Sequence, residues 1–286
     1  SAASDVYKRQ VKLVLHNDNT AGAANPCSSA NNSTSAAFAR YSGTTYKSTF
    51  NTNYNDNAYV GFRYGTTGAS DYASAHANTN KSTILTNLES WYTKNLALYE
   101  SKLADTIWCN DKSTFTTYTS GSTYGTGLGY GTNQTGYGAS NRVGADFIDD
   151  VALYASPSLI CPNDNNGGKL SKFTVSDTTK GNGNLTYKIG LLTADEIAFS
   201  GYAAGALNLS TYLQENTGEN FWWSLSPGYF NGNYTSVWFA GSGNLHIDGI
   251  EVNVSSNFGL RPAISLVSNI TISGGSGTSE DPYVIN

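Results

Sequence analysis

The run Thr235-Ser236-Val237-Trp238-Phe239-Ala240-Gly241-Ser242-Gly243-Asn244-Leu245-His246-Ile247-Asp248-Gly249-Ile250-Glu251-Val252-Asn253-Val254 alternates β-favouring and polar residues and is broken twice by turn residues. A period of two puts alternate side chains on one face of a strand. It predicts strands at residues 235–239, 244–247 and 250–254, separated by Gly241-Ser242-Gly243 and Asp248-Gly249 turns. A further strand is predicted at 263–267, completing an antiparallel meander. Val237, Phe239, Leu245, Ile247, Ile250, Val252 and Val254 then share the core face. Trp238, Asn244, His246, Glu251 and Asn253 share the opposite face. A Trp among amides, a His and a carboxylate is suited to stacking on a sugar or a partner's side chain, so these five are the candidate ligand site. On that reading Trp238→Ala changes stability by under about 1 kcal/mol. The competing reading covers Trp238 with the polar loop at 17–48.

Upstream, residues 11–15 and 58–64 read as strands. Between Thr83 and about Leu103 the period lengthens: Ile84, Leu88, Trp91, Tyr92 and Tyr99 recur at helical steps, predicting one long amphipathic helix capped by Asn80 or Ser82. A short helix is predicted at 191–201, where Thr193 and Glu196 form a capping box, Leu192 and Ile197 a hydrophobic staple, and Gly201 a stop. Residues 119–145 are rich in Gly, Thr, Tyr, Ser and Asn. They lack the preceding strand and following Lys-Ser/Thr of a phosphate-binding loop and read as a surface loop.

The chain has 286 residues, 39% of them hydrophobic and 13% aromatic, enough to bury a core. Nothing repeats at a fixed period and no charged or Pro-rich linker divides it, so residues 11–286 read as one α+β domain. Only 13% of residues are charged, about half the usual share of roughly 25%, and the polar surface that replaces them suits a protein working outside the cell. A net charge of -5 argues against nucleic acid as a partner. No apolar run is long enough to span a membrane, so no membrane contact is expected within this segment. The opening Ser1-Ala2-Ala3-Ser4-Asp5-Val6-Tyr7-Lys8-Arg9-Gln10 resembles a translated sequencing adapter, and there is no Met. These ten residues are excluded from the fold reading, and the expectation is an N-terminally truncated domain with any anchor upstream.

Chemistry finds little purchase. His16, His76 and His246 stand in no metal-binding pattern, and no G-x-S-x-G elbow supports a nucleophilic Ser. Of the paired carboxylates, Asp149-Asp150 and Asp195-Glu196, the second is accounted for by the helix cap and dipole. Oxygen-rich loops at 17–19 and 163–166 have neither EF-hand spacing nor enough carboxylates for calcium and read as solvated turns. No cofactor or metal is expected. Cys27, Cys109 and Cys161 allow one disulfide and one odd thiol, or three buried reduced thiols.

Trp222-Trp223-Ser224-Leu225-Ser226-Pro227 and Gly259-Leu260-Arg261-Pro262 carry a resemblance to a domain of unknown function common on surface proteins of gut Gram-positive bacteria. Cys109-Asn110-Asp111, Cys161-Pro162-Asn163 and the segments 51–65, 76–92 and 277–285 share it. That family is distantly similar to the C-type-lectin-like fold of formylglycine-generating enzymes, whose helix phrase is echoed by Leu192-Thr193-Ala194-Asp195-Glu196. The resemblance implies an irregular antiparallel β domain with one long and one short helix. It also implies a Cys109–Cys161 disulfide with Cys27 free, and structural roles for Trp222, Trp223, Ser226 and Arg261 beside Thr193 and Glu196. The enzyme's late cysteine pair is missing here, and Cys109 interrupts the lectin's calcium phrase. The function expected is therefore a non-catalytic secreted or cell-surface module for ligand recognition or adhesion, with a glycan, peptide or surface protein as partner. The alternatives are a structural subunit of a pilus-like fibre and an enzyme of the formylglycine-generating or hydrolytic type.

Overall fold

The computed structural model describes residues 11–18, 34–117, 125–144, 156–202, 211–247, 253–278 and 281–286. Cys27, Asp149, Asp150, Glu251 and most of the expected strand at 250–254 lie outside them. The architecture is α+β. In chain order the first half contains β1 (Lys12–Val14), β2 (Lys47–Ser48), β3 (Arg63–Tyr64), α1 (Tyr72–Ala75), β4 (Asn80–Lys81), α2 (Thr83–Asn95), β5 (Trp108–Cys109), β6 (Thr114–Phe115), β7 (Thr135–Tyr137) and α3 (Gly138–Val143). The second half contains β8 (Lys172–Phe173), α4 (Ala194–Phe199), β9 (Trp222–Phe230), β10 (Thr235–Gly241), β11 (Asn244–His246), β12 (Phe258–Gly259), β13 (Ala263–Ser265), β14 (Ile272–Gly274) and β15 (Val284–Ile285).

The central sheet runs β11-β10-β9-β12-β2, and β9 also pairs with β7, which pairs with β6. β9 and β10 form an antiparallel ribbon, and the Gly241 turn returns the chain into β11, as the alternation predicted. The meander stops there. β12 joins β9 in parallel at Gly259 and Trp222, and β13 leaves the sheet to pair with β1. β9 itself carries Pro227, which cannot donate to a ladder. The register shifts opposite it, at Val237, so the proline sits at an irregularity where no donor is needed.

Every residue of β9 and β10 is buried. This central ribbon is therefore covered on both faces, and its apolar side chains join a core extending from Phe38 to Leu266. Trp223 illustrates the packing: its ring lies 4.6 Å from Phe258 and 5.9 Å from Phe50, while Nε1 donates to the Ser48 carbonyl at 2.8 Å. An aromatic side chain with its one donor satisfied suits so deep a position.

The helices follow the sequence signals only in part. Ser82 caps α2, its hydroxyl accepting from the Leu85 amide, and Ile84, Leu85, Leu88, Trp91 and Tyr92 face the core. The expected helix to residue 103 ends at Asn95. Beyond Leu96 the chain tightens into a 3₁₀ turn, Ala97–Lys102, which leaves Tyr99 58% exposed instead of on the buried stripe. The expected strand at 58–64 is instead a 3₁₀ turn, Asn57–Val60, capped by Asp56, followed by short β3. Its β-favouring residues are buried by tertiary contact, which overrides local preference. Part of the expected surface loop at 119–145 is also ordered: β7 and α3 lie within it, and Thr135, Gly136 and Tyr137 are buried.

Cys109 and Cys161 form a disulfide. It closes a separation of 52 residues, and such a restriction of the unfolded chain is typically worth about 2–4 kcal/mol.

Candidate functional site

The expected ligand face divides. Trp238 is buried, 1% exposed, with Nε1 donating to Ser140 Oγ at 3.1 Å. Its ring lies so close to Gly144 that a Cβ there would come within 2.4 Å of Cη2. The end of α3 covers it, and the ring cannot stack on a ligand; most of the loop at 17–48 lies outside the described residues. Asn244 is buried as well. His246 stacks on Phe239 at 5.2 Å and meets Phe221 edge-on, while Asn253 Oδ1 accepts from the Ser255 amide and hydroxyl. Glu251 lies outside the described residues. The period-two reading put Val237, Phe239, Leu245, Ile247 and Val254 in the core as found, while Ile250 and Val252 lie outside the described residues; Trp238 and Asn244 of the other face are also covered, a fact alternation within the strand cannot reveal.

The residues expected to be structural occupy joints. Thr193 Oγ1 accepts from the Glu196 amide and Glu196 Oε2 from the Thr193 amide, forming the capping box, and Glu196 also pairs with Lys12 of β1. Ser226 Oγ in β9 accepts from the Ala194 amide at 2.9 Å, docking α4 on the sheet. Trp222 is fully buried, with the Arg261 guanidinium 4.9 Å from its ring centre. Arg261 Nε donates to the Leu15 carbonyl at 3.0 Å and Nη1 to that of Leu213. Burial pushes its pKa down to about 10, with Tyr202 and Tyr212 opposing, so it stays charged at neutral pH.

Among the described residues, Arg142, Asp111, Asp164 and Asp195 are held in structural bonds. Arg142 holds Asp195 in a bidentate fork, Nε to Oδ1 at 2.7 Å and Nη2 to Oδ2 at 2.9 Å, while Nη1 reaches Asp111 Oδ2 at 2.9 Å. Asp164 accepts the amides of Asn166, Gly168 and Leu170, so its oxygens build the turn at 163–170. Among the described residues no group of three or more His, Cys, Asp or Glu is placed to hold a metal.

All three histidines are driven toward the neutral form, burial being the largest cause in each; His76 is enclosed completely, with Nε2 2.8 Å from the Gly129 carbonyl. In the unfolded chain an imidazole takes up a proton near pH 6.5, whereas the folded chain resists it. Below that pH the unfolded state binds more protons, so stability falls on acidification. Urea unfolding from about pH 7.5 to 5.5 is expected to show a declining free energy, with a slope approaching about 1.4 kcal/mol per pH unit from His76 alone. Stability that is flat or rising on acidification across this window is the contrary result.

Lys112, which no sequence motif marked, is fully buried beside Asn78. Its Nζ donates to Asn78 Oδ1 at 2.7 Å and to the Arg63 carbonyl at 2.9 Å, and lies 5.4 Å from the centre of the Phe173 ring. Burial pushes its pKa down to about 7; Asp164 opposes this and Arg63 adds to it.

On the surface, a groove of about 210 Å³ runs along β1. It is lined by Leu13, Val14 and Leu15, by Trp91 of α2 and Leu96 just after it, by Pro262 and Ile264, and by His16 and Asn17. His16 is fixed by stacking on Tyr212 at 4.7 Å and by Asn216 Nδ2, 3.0 Å from Nε2. Trp91 is fixed by Asp18, whose Oδ2 accepts from Nε1 at 3.1 Å. The sequence reading missed this groove because its walls come from distant segments; the only local signal was the apolar β1 residues beside a Trp-bearing helix.

No family model matches the chain, no curated protein matches it, and no solved structure matches its fold.

Proposed function

We propose that the protein is a non-catalytic recognition module working at the cell surface or in the extracellular space, and that it grips an apolar side chain of a peptide or protein ligand. The groove beside Trp91 carries this reading: a lining of mostly aliphatic and aromatic residues, with His16 and Asn17 the polar ones among those described, suits an apolar side chain better than a sugar. The disulfide supports an oxidising compartment. A non-catalytic role is supported by the engagement of Asp111, Asp195, Glu196 and Arg142 in structural bonds.

Leu13 tests the reading because it lines the groove yet is 40% exposed. Peptides selected from a displayed library on the oxidised protein are expected to lose at least about tenfold in affinity, about 1.4 kcal/mol, against Leu13→Glu. Unfolding stability should change by no more than about 0.5 kcal/mol, as for other surface substitutions. Peptides that bind the variant undiminished, or that the protein cleaves, would overturn it.

A further inference from the structure

We propose that Asn78 and Lys112 are the site of a cross-link within the chain: an isopeptide bond between the lysine amine and the asparagine side-chain carbonyl carbon, formed with release of ammonia. Lys112 is 0% and Asn78 3% exposed, and Nζ lies 2.7 Å from Oδ1 of the amide it would attack. Both groups that accept from Nζ, Asn78 Oδ1 and the Arg63 carbonyl, are neutral. The Phe173 ring at 5.4 Å makes the surroundings apolar. A buried lysine without a carboxylate in contact is costly as an ammonium, and burial shifts its pKa to about 7, leaving a large share as the free amine at neutral pH.

An amide resists amines in water because the amine is protonated and the encounter is bimolecular. Here both obstacles are lowered: the amine is partly free, and the fold holds it against one amide. The other end of that amide is also fixed, since Asn78 Nδ2 donates to the Leu170 carbonyl at 3.2 Å. Leu170 is held in turn by Asp164, whose Oδ2 accepts the Leu170 amide at 3.0 Å.

For attack, Nζ gives up its bond to Oδ1 and moves over the face of the Asn78 amide, so that its lone pair meets Cγ. The Nζ–Cγ bond forms, the Cγ–Nδ2 bond breaks, and one proton passes from Nζ to the departing nitrogen, which leaves as ammonia. Atoms and charge balance without an oxidant or a water molecule. The product ties the turn before β4 to the segment after β5, close to Cys109 of the disulfide.

The test is the mass and peptide map of the purified full chain after reduction and alkylation. The expected mass is below that of the fully alkylated sequence by one ammonia, and a tryptic digest should contain a branched peptide joining Asn78 to Lys112, uncut after Lys112. Lys112→Arg and Asn78→Ala should carry their full sequence masses. Asn78→Asp should lose one water instead; the backbone at 78 has φ 60, which Asp tolerates. Should these variants fail to fold, the wild-type peptide map decides alone. Cleavage after Lys112 with an unmodified Asn78 peptide, or ammonia loss without the branched peptide, would overturn the proposal.

Discussion

Trp238→Ala is expected to lower unfolding stability by about 3–5 kcal/mol, the range for deleting a buried large aromatic side chain. The ring is 1% exposed, wedged between β10 and the end of α3, and its Nε1 is bonded to Ser140. Truncation leaves a cavity against Gly144 and removes the Nε1 donor from the Ser140 hydroxyl, which keeps its own bond to the Gly228 carbonyl at 2.9 Å. The structure thus reverses the small effect expected from alternation alone. Urea denaturation of the purified variant measures it, and a loss under about 1 kcal/mol would return the ring to the surface.

Arg142→Ala is expected to be comparably damaging, at about 3–5 kcal/mol, because it removes one cation from between two buried carboxylates. The side chains of Asp111 and Asp195 are 2% and 3% exposed. Neither can regain full hydration when the guanidinium is lost. Asp111 would retain the Ser113 amide and hydroxyl, and Asp195 the Ser158 amide, so hydrogen bonding remains while charge compensation does not. Arg142→Lys should recover only part of the loss, since an ammonium cannot reproduce the fork to Asp195 together with the reach to Asp111. Denaturation curves for both variants check this, and a change below about 1 kcal/mol for Arg142→Ala would show the triad to be a loosely solvated surface cluster.

Local rules made much of the fold legible. The capping box at Thr193 and Glu196, the Ser82 cap and the Gly241 turn each depend on residues adjacent in sequence, and each forms as read. What failed depends on distant partners. Trp238 is buried by a helix from a glycine-rich segment with no helical pattern, and residues 57–60 curl into a 3₁₀ turn although their side chains favour strands. The groove and the Lys112 site escaped for the same reason. Each is assembled from segments far apart in the chain, such as β1 with α2, or Asn78 with Lys112, whose proximity exists only after folding.

Methyl NMR of the oxidised protein, titrated with a selected peptide, tests the recognition reading most directly. The account predicts that shift changes concentrate on Leu13, Val14, Leu15, Leu96 and Ile264, while the exposed Leu98 and Leu159 methyls, outside the groove, stay unmoved. Saturable binding that moves Leu98 or Leu159 and leaves the groove methyls unchanged would contradict it.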